Sequence, residues 1–293
     1  MDKLLVIGSS GILGSRVFEL AKGDFDALGT YNKHSVEGKN LFRLDTRIRA
    51  DVFKIIERLK PDLVIDTHGL TNLDYCETHW EEAWQINVEG TKNVAEACKK
   101  FQCRYTFIST DYVFDGKKAS YAEEDETHGL NYYARTKIIA ERTIMALDID
   151  YIIARTTVLY GLGGIEKTSF PIWLIGKLRN NENVKVVNDQ KNNPTFTDNL
   201  SAFLFSLYKK NANGIFHITG RDCISRYDFA REIAYTFGLD GELIIPTTSE
   251  GLGQIALRPK TINFIVDKVE KATGIRAVGV KEGLSLMKKQ LIS

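Results

Sequence analysis

The stretch Lys3-Leu4-Leu5-Val6-Ile7-Gly8-Ser9-Ser10-Gly11-Ile12-Leu13-Gly14 decides how the rest of the chain is read. Its aliphatic start suits a strand buried on both faces, and Gly8, Gly11 and Gly14 then interrupt it before an amphipathic run to Ala21. Glycines at such a junction let the backbone turn tightly and approach a ligand, while the following helix offers free amides and the positive end of its dipole. Strand, glycine turn and helix in that order make a seat for a dinucleotide pyrophosphate. The chain holds 23 glycines, so the string alone is weak and its place carries the weight.

The same rhythm repeats over the first 160 residues or so: a short β-branched and apolar run, a turn, then a stretch of helical length. Strands are predicted at 3–7, 26–30, 41–45, 62–66, 105–109 and 151–154, and helices at about 12–21, 48–59, 80–100 and 132–147. Alternation of this kind implies a parallel sheet with helices on both faces. After Gly161 the rhythm breaks, with a helix near 170–178, a strand near 184–188, a helix at about 199–209, and a strand at 214–220 that returns to the first sheet. A further helix runs from Ser225 to Phe237, with Ser225 and Asp228 in capping-box spacing. The expected fold is α/β, a Rossmann-type doubly wound parallel sheet with a smaller, discontinuous C-terminal substrate lobe. Residues 1–161, joined by about 190–220, form the NAD(P)-binding domain, and about 162–189 with 221–293 form the lobe.

Composition narrows the function. The 39 Lys and Arg against 38 Asp and Glu are spread without blocks, which argues against nucleic acid as the main partner. No apolar run approaches the ~20 residues needed to cross a bilayer. A strand beginning at Lys3 leaves no room for a signal peptide, so a cytoplasmic protein without a membrane partner is expected. Cys76, Cys98, Cys103 and Cys223 lack metal-ligand spacing and read as buried thiols, and no metal is expected. Trp80 and Trp84, one helical turn apart, read as core.

Two further segments carry chemistry. A carboxylate some 20 residues beyond the glycine turn would hold the ribose of NAD. Here that place reads Thr30-Tyr31-Asn32-Lys33-His34, so NADP(H) is favoured over NAD(H), with Asn32 or Lys33 near the phosphate. Tyr133 and Lys137 lie four apart on one face of a predicted helix. A phenol is a poor acid–base catalyst at neutral pH, and a neighbouring ammonium favours its ionised form. Ser109-Thr110-Asp111-Tyr112 begins where the fifth strand ends, at the sheet edge where doubly wound folds bind ligands, and a hydroxyl there can donate to a carbonyl oxygen.

With these features in order, the sequence resembles the extended short-chain dehydrogenases/reductases and, within them, the dTDP-4-dehydrorhamnose reductase family. The matching strings are GSSGILG (8–14), LTNLDYCE (70–77), NVEGTKN (87–93), STDYVFDG (109–116), LNYYARTK (130–137), NNPTFTDNLSAF (192–203), GIFHITG (214–220), SRYDFA (225–230) and LRP (257–259). The resemblance implies NAD(P)H-dependent reduction of a nucleotide-linked 4-keto-6-deoxysugar. Position by position, it implies that Tyr133 donates the proton, Lys137 holds the nicotinamide ribose and tunes Tyr133, and Thr110 bonds the substrate oxygen. It further implies that Gly8, Gly11, Ile12, Leu13 and Gly14 line the pyrophosphate, with Asp45 near the adenine and Thr46, His68 and Gly69 completing the cofactor set. Thr71, Leu73 and Tyr112 fall where the family contacts the sugar, Val158 where it carries a Trp, and Arg258 near the nucleotide diphosphate. The expected partner is a nucleotide-sugar substrate, with a homodimer left open.

The chain departs from the family pattern at three places. Arg155-Thr156-Thr157-Val158 lacks the aromatic platform, Asp66-Thr67-His68-Gly69 replaces an Asn with small alanines, and His128-Gly129 replaces a proline ahead of Asn131, which is expected to loosen the entry to the catalytic helix. Two other functions use the same fold. One is a sugar-nucleotide epimerase, and the other is a non-catalytic partner resembling the regulatory subunit of methionine adenosyltransferase. A dehydratase is disfavoured, because Thr110 is followed by Asp111-Tyr112 where dehydratases carry Asp-Glu.

Overall fold

The computed structural model describes residues 1–34, 38–164 and 169–292. Seven parallel strands make the central sheet. In chain order they are β1 (Lys3–Ile7), β2 (Asp26–Tyr31), β3 (Leu41–Arg43), β4 (Leu63–Asp66), β5 (Arg104–Thr110), β6 (Tyr151–Thr156) and Gly214–His217. Across the sheet the order is Gly214–His217, β6, β5, β4, β1, β2, β3, so the direction of winding reverses between β1 and β4. In an open α/β sheet, a reversal of that kind leaves a crevice at the carboxyl ends of the strands. β4 is buried along its length and β1 everywhere except Lys3, as expected for strands covered on both faces.

One face is covered by α1 (Ile12–Ala21), through Leu13, Val17 and Ala21, together with Leu200, Phe203, Leu204 and Leu207 of the helix Thr197–Lys209. The other is covered by α2 (Arg49–Leu59), Gly90–Phe101 and Tyr132–Met145, through residues such as Ile56, Val94 and Ala140. A third apolar cluster joins Tyr160, Leu174, Phe229, Ile244, Leu284 and Met287, drawn from the helices Phe170–Arg179, Arg226–Phe237 and Val280–Ile292 and from short strands. The strand expected near 184–188 is Val184–Val187, which pairs in parallel with Ile244–Thr247 outside the central sheet. The Ser225 cap forms as expected, accepting from the Asp228 amide at 2.9 Å. Among the described residues no helix is long and apolar enough to cross a membrane.

Several expectations are corrected. The single helix expected at 80–100 is broken into Trp80–Trp84, a π-helical turn Gln85–Glu89, and Gly90–Phe101. A short helix, Leu73–Thr78, escapes the periodicity because it is six residues long, although Asn72 caps it by accepting from the Tyr75 amide at 3.1 Å. Trp80 is exposed rather than core, and Cys223 is only half-buried. The His128-Gly129 segment is held firmly: the His128 amide donates to Val113 O at 2.7 Å, and a Cβ on Gly129 would lie 2.7 Å from that of Ala134.

Candidate functional site

The glycine turn sits at the point of reversal. Gly8 adopts φ +88, a region that favours glycine, and the Gly11 amide donates to Gly8 O at 3.0 Å. A Cβ on Gly14 would lie 2.2 Å from Gly8 O and 2.6 Å from the Thr67 hydroxyl, so turn and helix can close only around glycine. Gly11 caps α1 without a side-chain hydrogen bond, and no acidic residue stands in the first turn. The first amides, including those of Ile12 and Leu13, therefore remain for an anion. That cradle fits a dinucleotide pyrophosphate.

Beyond β3, Asp45 takes a double hydrogen bond from Arg47, with Nε 2.9 Å from Oδ1 and Nη2 2.5 Å from Oδ2. Arg47, and to a smaller degree Asn32, holds the Asp45 carboxyl below its ordinary range. Lys33 stands outside this pair, 3.8 Å from Glu82. Thr46 is buried, its carbonyl accepting from Asn93 at 2.9 Å. Arg47 is a cation that the sequence reading did not single out; its signal, Asp-x-Arg after the third strand, is short and common.

The residues expected to be catalytic are buried. Thr110 closes β5, Tyr133 and Lys137 share the inner face of Tyr132–Met145, and all three are buried. Asn131 starts that helix by accepting from the Ala134 amide at 2.8 Å. The Thr110 hydroxyl lies against the Tyr133 phenol and favours its ionised form, but burial wins and pushes the phenol above its ordinary value. The expected lowering by Lys137 is not realised. The Lys137 ammonium turns instead to the Ile108 carbonyl, 2.7 Å away, with the Phe107 ring centroid at 3.9 Å. Burial brings that ammonium down to about 8, against the pull of the Asp66 and Glu141 carboxylates.

Asp111 adds a carboxyl that burial raises to about 6, although the Thr157 hydroxyl (2.8 Å) and the Thr110 hydroxyl (3.1 Å) both donate to it. Tyr112 meets Tyr133 edge to face, ring centroids 6.2 Å apart, and Leu73 packs in the same small cluster. Burial raises the Tyr112 phenol, while Arg226 and Arg258 oppose the rise. Arg258 is not solvated: it is held by Asp74, with Nη1 and Nη2 each 3.1 Å from a carboxylate oxygen. Arg226, the first residue of its helix, was missed because only the fold brings it to Tyr112 and Asp111 from more than 100 residues away.

Of the remaining residues, Thr71 and Gly69 are exposed on the loop beyond β4. Val158 packs against the third cluster at φ +39, a backbone state rare for a β-branched side chain. His68 bonds a backbone carbonyl, that of Ile86 at 3.0 Å, and its other ring nitrogen bonds Asp66.

The family described as the RmlD substrate binding domain matches residues 2–292. A dTDP-4-dehydrorhamnose reductase from Aggregatibacter actinomycetemcomitans is 30% identical over 288 residues, covering 94% of this chain and 95% of its own. The crystal structure of dTDP-4-dehydrorhamnose reductase from Bacillus anthracis in complex with NADP is similar with TM-score 0.85 at 25% identity, covering 99% of both chains. Methionine adenosyltransferase 2 subunit beta from Danio rerio is 27% identical over 278 residues, covering 92% of this chain and 84% of its own.

Proposed function

This chain belongs to the family of the RmlD substrate binding domain and is an NAD(P)-dependent oxidoreductase, and from that premise we propose that it reduces the C4 ketone of a nucleotide-linked 4-keto-6-deoxysugar. The nicotinamide cofactor, when bound, supplies hydride. Tyr133 gives its proton to the oxygen of the ketone as charge develops there, and Thr110 donates a hydrogen bond to the same oxygen. The burial that keeps the Tyr133 phenol protonated suits a group that acts as the acid in a reduction. Lys137, its ammonium held by the Ile108 carbonyl, holds the ribose next to the nicotinamide. The observation that carries this reading is the burial of Thr110, Tyr133 and Lys137 at the carboxyl edge of the sheet, beyond a glycine turn with uncapped amides.

The second part of the chain, about 162–189 and 221–293, serves in this reading as the substrate lobe. Arg226 and Arg258, both close enough to act on Tyr112, suit the two negative charges of a sugar-nucleotide diphosphate. Arg47, with Lys33 and Asn32, inclines the adenosine end to the 2′-phosphate of NADP, since a guanidinium matches phosphate in two hydrogen bonds.

The test is to incubate the purified protein with dTDP- and GDP-linked 4-keto-6-deoxysugars and NADPH, then NADH, and to follow nicotinamide absorbance. Oxidation that depends on one sugar supports the reading. The rival reading, a non-catalytic partner, draws on the similarity to methionine adenosyltransferase 2 subunit beta. No turnover with any sugar, together with recovery of a stoichiometric synthetase in a pull-down, would replace the reductase by that partner. An epimerase would be isolated with tightly held oxidised cofactor.

A further inference from the structure

Asp66-Thr67-His68 ends β4 where the sheet reverses, and each residue holds a different piece of the site. Thr67 Oγ1 donates to Ile7 O at 2.7 Å and faces the glycine turn. Asp66, fully buried, accepts from the Tyr105 hydroxyl at 2.6 Å on one oxygen, and from the His68 amide at 3.2 Å and His68 Nδ1 on the other. His68 Nε2 meets the Ile86 carbonyl at 3.0 Å. A carbonyl can only accept, so Nε2 donates to Ile86 O, and a hydrogen bond on each ring nitrogen holds the imidazole in one orientation. Gly90 leaves the room for it, because a Cβ there would lie 2.9 Å from Nε2.

Ile86 belongs to the π-helical turn Gln85–Glu89, a feature often found at functional sites. The next residue of that turn, buried Asn87, accepts from the Leu70 amide at 2.8 Å and donates to Leu70 O and to the Thr136 hydroxyl, each at 3.1 Å. Thr136 in turn donates to the Tyr133 carbonyl at 2.7 Å. We propose that His68, clamped by Asp66, is a positioning residue for the reduction: it fixes the π-helical turn and, through Asn87, the placement of the catalytic helix and of the loop at 69–71. His68 acts through its partners and needs no contact with the reacting atoms. The kinetic arm of its test rests on the proposed reduction, whereas the structural arm does not.

The experiment compares wild type with His68→Ala and Gly90→Ala, the second of which keeps both partners of the ring and crowds it at 2.9 Å, together with the Thr46 hydroxyl at 2.7 Å. With NADPH and the reducible sugar nucleotide, kcat should fall about 10- to 100-fold, the cost of a small misplacement. KM for both substrates and the NADPH-binding stoichiometry should stay near wild type, and added imidazole should restore kcat to His68→Ala. Amide hydrogen exchange at residues 132–137 should quicken in both variants. A merely structural role would lower the cofactor-binding fraction and gain nothing from imidazole. If His68→Ala does not fold, Gly90→Ala is read in the same way. Unchanged kcat and unchanged exchange in a folded variant overturn the proposal. Absence of turnover in the wild type overturns the reductase reading, and the exchange measurement then still decides the positioning role.

Discussion

Where β5 meets the helix Tyr132–Met145, Thr110, Tyr133 and Lys137 are 6%, 7% and 4% exposed, whereas beyond β2 and β3 the side chains of Asp45, Arg47 and Lys33 are 19%, 38% and 69% exposed. The same sheet edge thus carries one group of polar side chains out of water and another in it. Burial moves ionisation: it raises the phenol, lowers the ammonium to about 8 and raises Asp111 to about 6. In water the Asp45–Arg47 pair keeps both partners charged and contributes little to stability, on the order of 0–1 kcal/mol. In the proposed reaction, proton transfer falls to the dry end and the choice between cofactors to the wet one.

The comparison breaks most visibly at Tyr133. Tyr133→Phe keeps the ring and removes the acid, so kcat should fall about 10²- to 10⁴-fold while NADPH affinity measured by fluorescence stays unchanged. Equal turnover would remove the catalytic assignment. Nearly as large an effect is expected behind the site, where Arg155 and Glu141 pair at 2.8 Å with side chains 3% and 2% exposed. Glu141→Gln leaves a buried guanidinium without its counter-charge and should cost about 3–5 kcal/mol in urea unfolding. A loss below about 1 kcal/mol would mean that water reaches the pair.

Lys137 gives the comparison a pH signature. Its ordinary value is 10.5 and the folded value is about 8, because burial disfavours the charge. The folded protein therefore loses the ammonium as pH rises through about 8, and kcat/KM should fall by about tenfold per pH unit above it. The unfolded chain still holds that proton up to its own value, so this group adds stability as pH rises from 8 to 10.5, and that gain disappears as pH falls through 8. A profile flat to pH 10 would show that the ammonium stays charged in the working enzyme. The smallest effect is expected at the exposed end. Arg47→Ala should lower kcat/KM about tenfold with NADPH and leave NADH nearly untouched, and an equal loss with both cofactors would place Arg47 elsewhere in the mechanism.

What could be read from the sequence follows the same division between local and distant causes. β1, the glycine turn and α1 are legible because strand, turn and helix signals lie side by side, and α1 spans Ile12–Ala21 as expected. Tyr133 and Lys137 are legible as one helix face, and the strand Gly214–His217 as a return to the sheet. The π-helical turn is not legible, because its bond to His68 spans 18 residues of chain. Arg226 reaches Tyr112 only through the fold. The direction of the Lys137 side chain depends on a carbonyl of β5, 29 residues away, so the helical spacing that brings it to the right face says nothing about whether it meets the phenol. Trp80 looked like core because helical spacing reports a shared face and not what covers it.

In the proposed reaction, buried Thr110 and Tyr133 serve hydride transfer to a sugar ketone. The direct measurement uses NADPH carrying deuterium at the transferring position, a dTDP-linked 4-keto-6-deoxysugar, and mass and NMR analysis of the product. A single deuterium bound to C4 of the sugar, formed by the wild type and lost with Tyr133→Phe, is the predicted result. Unoxidised cofactor, or deuterium at any other carbon, would contradict the account.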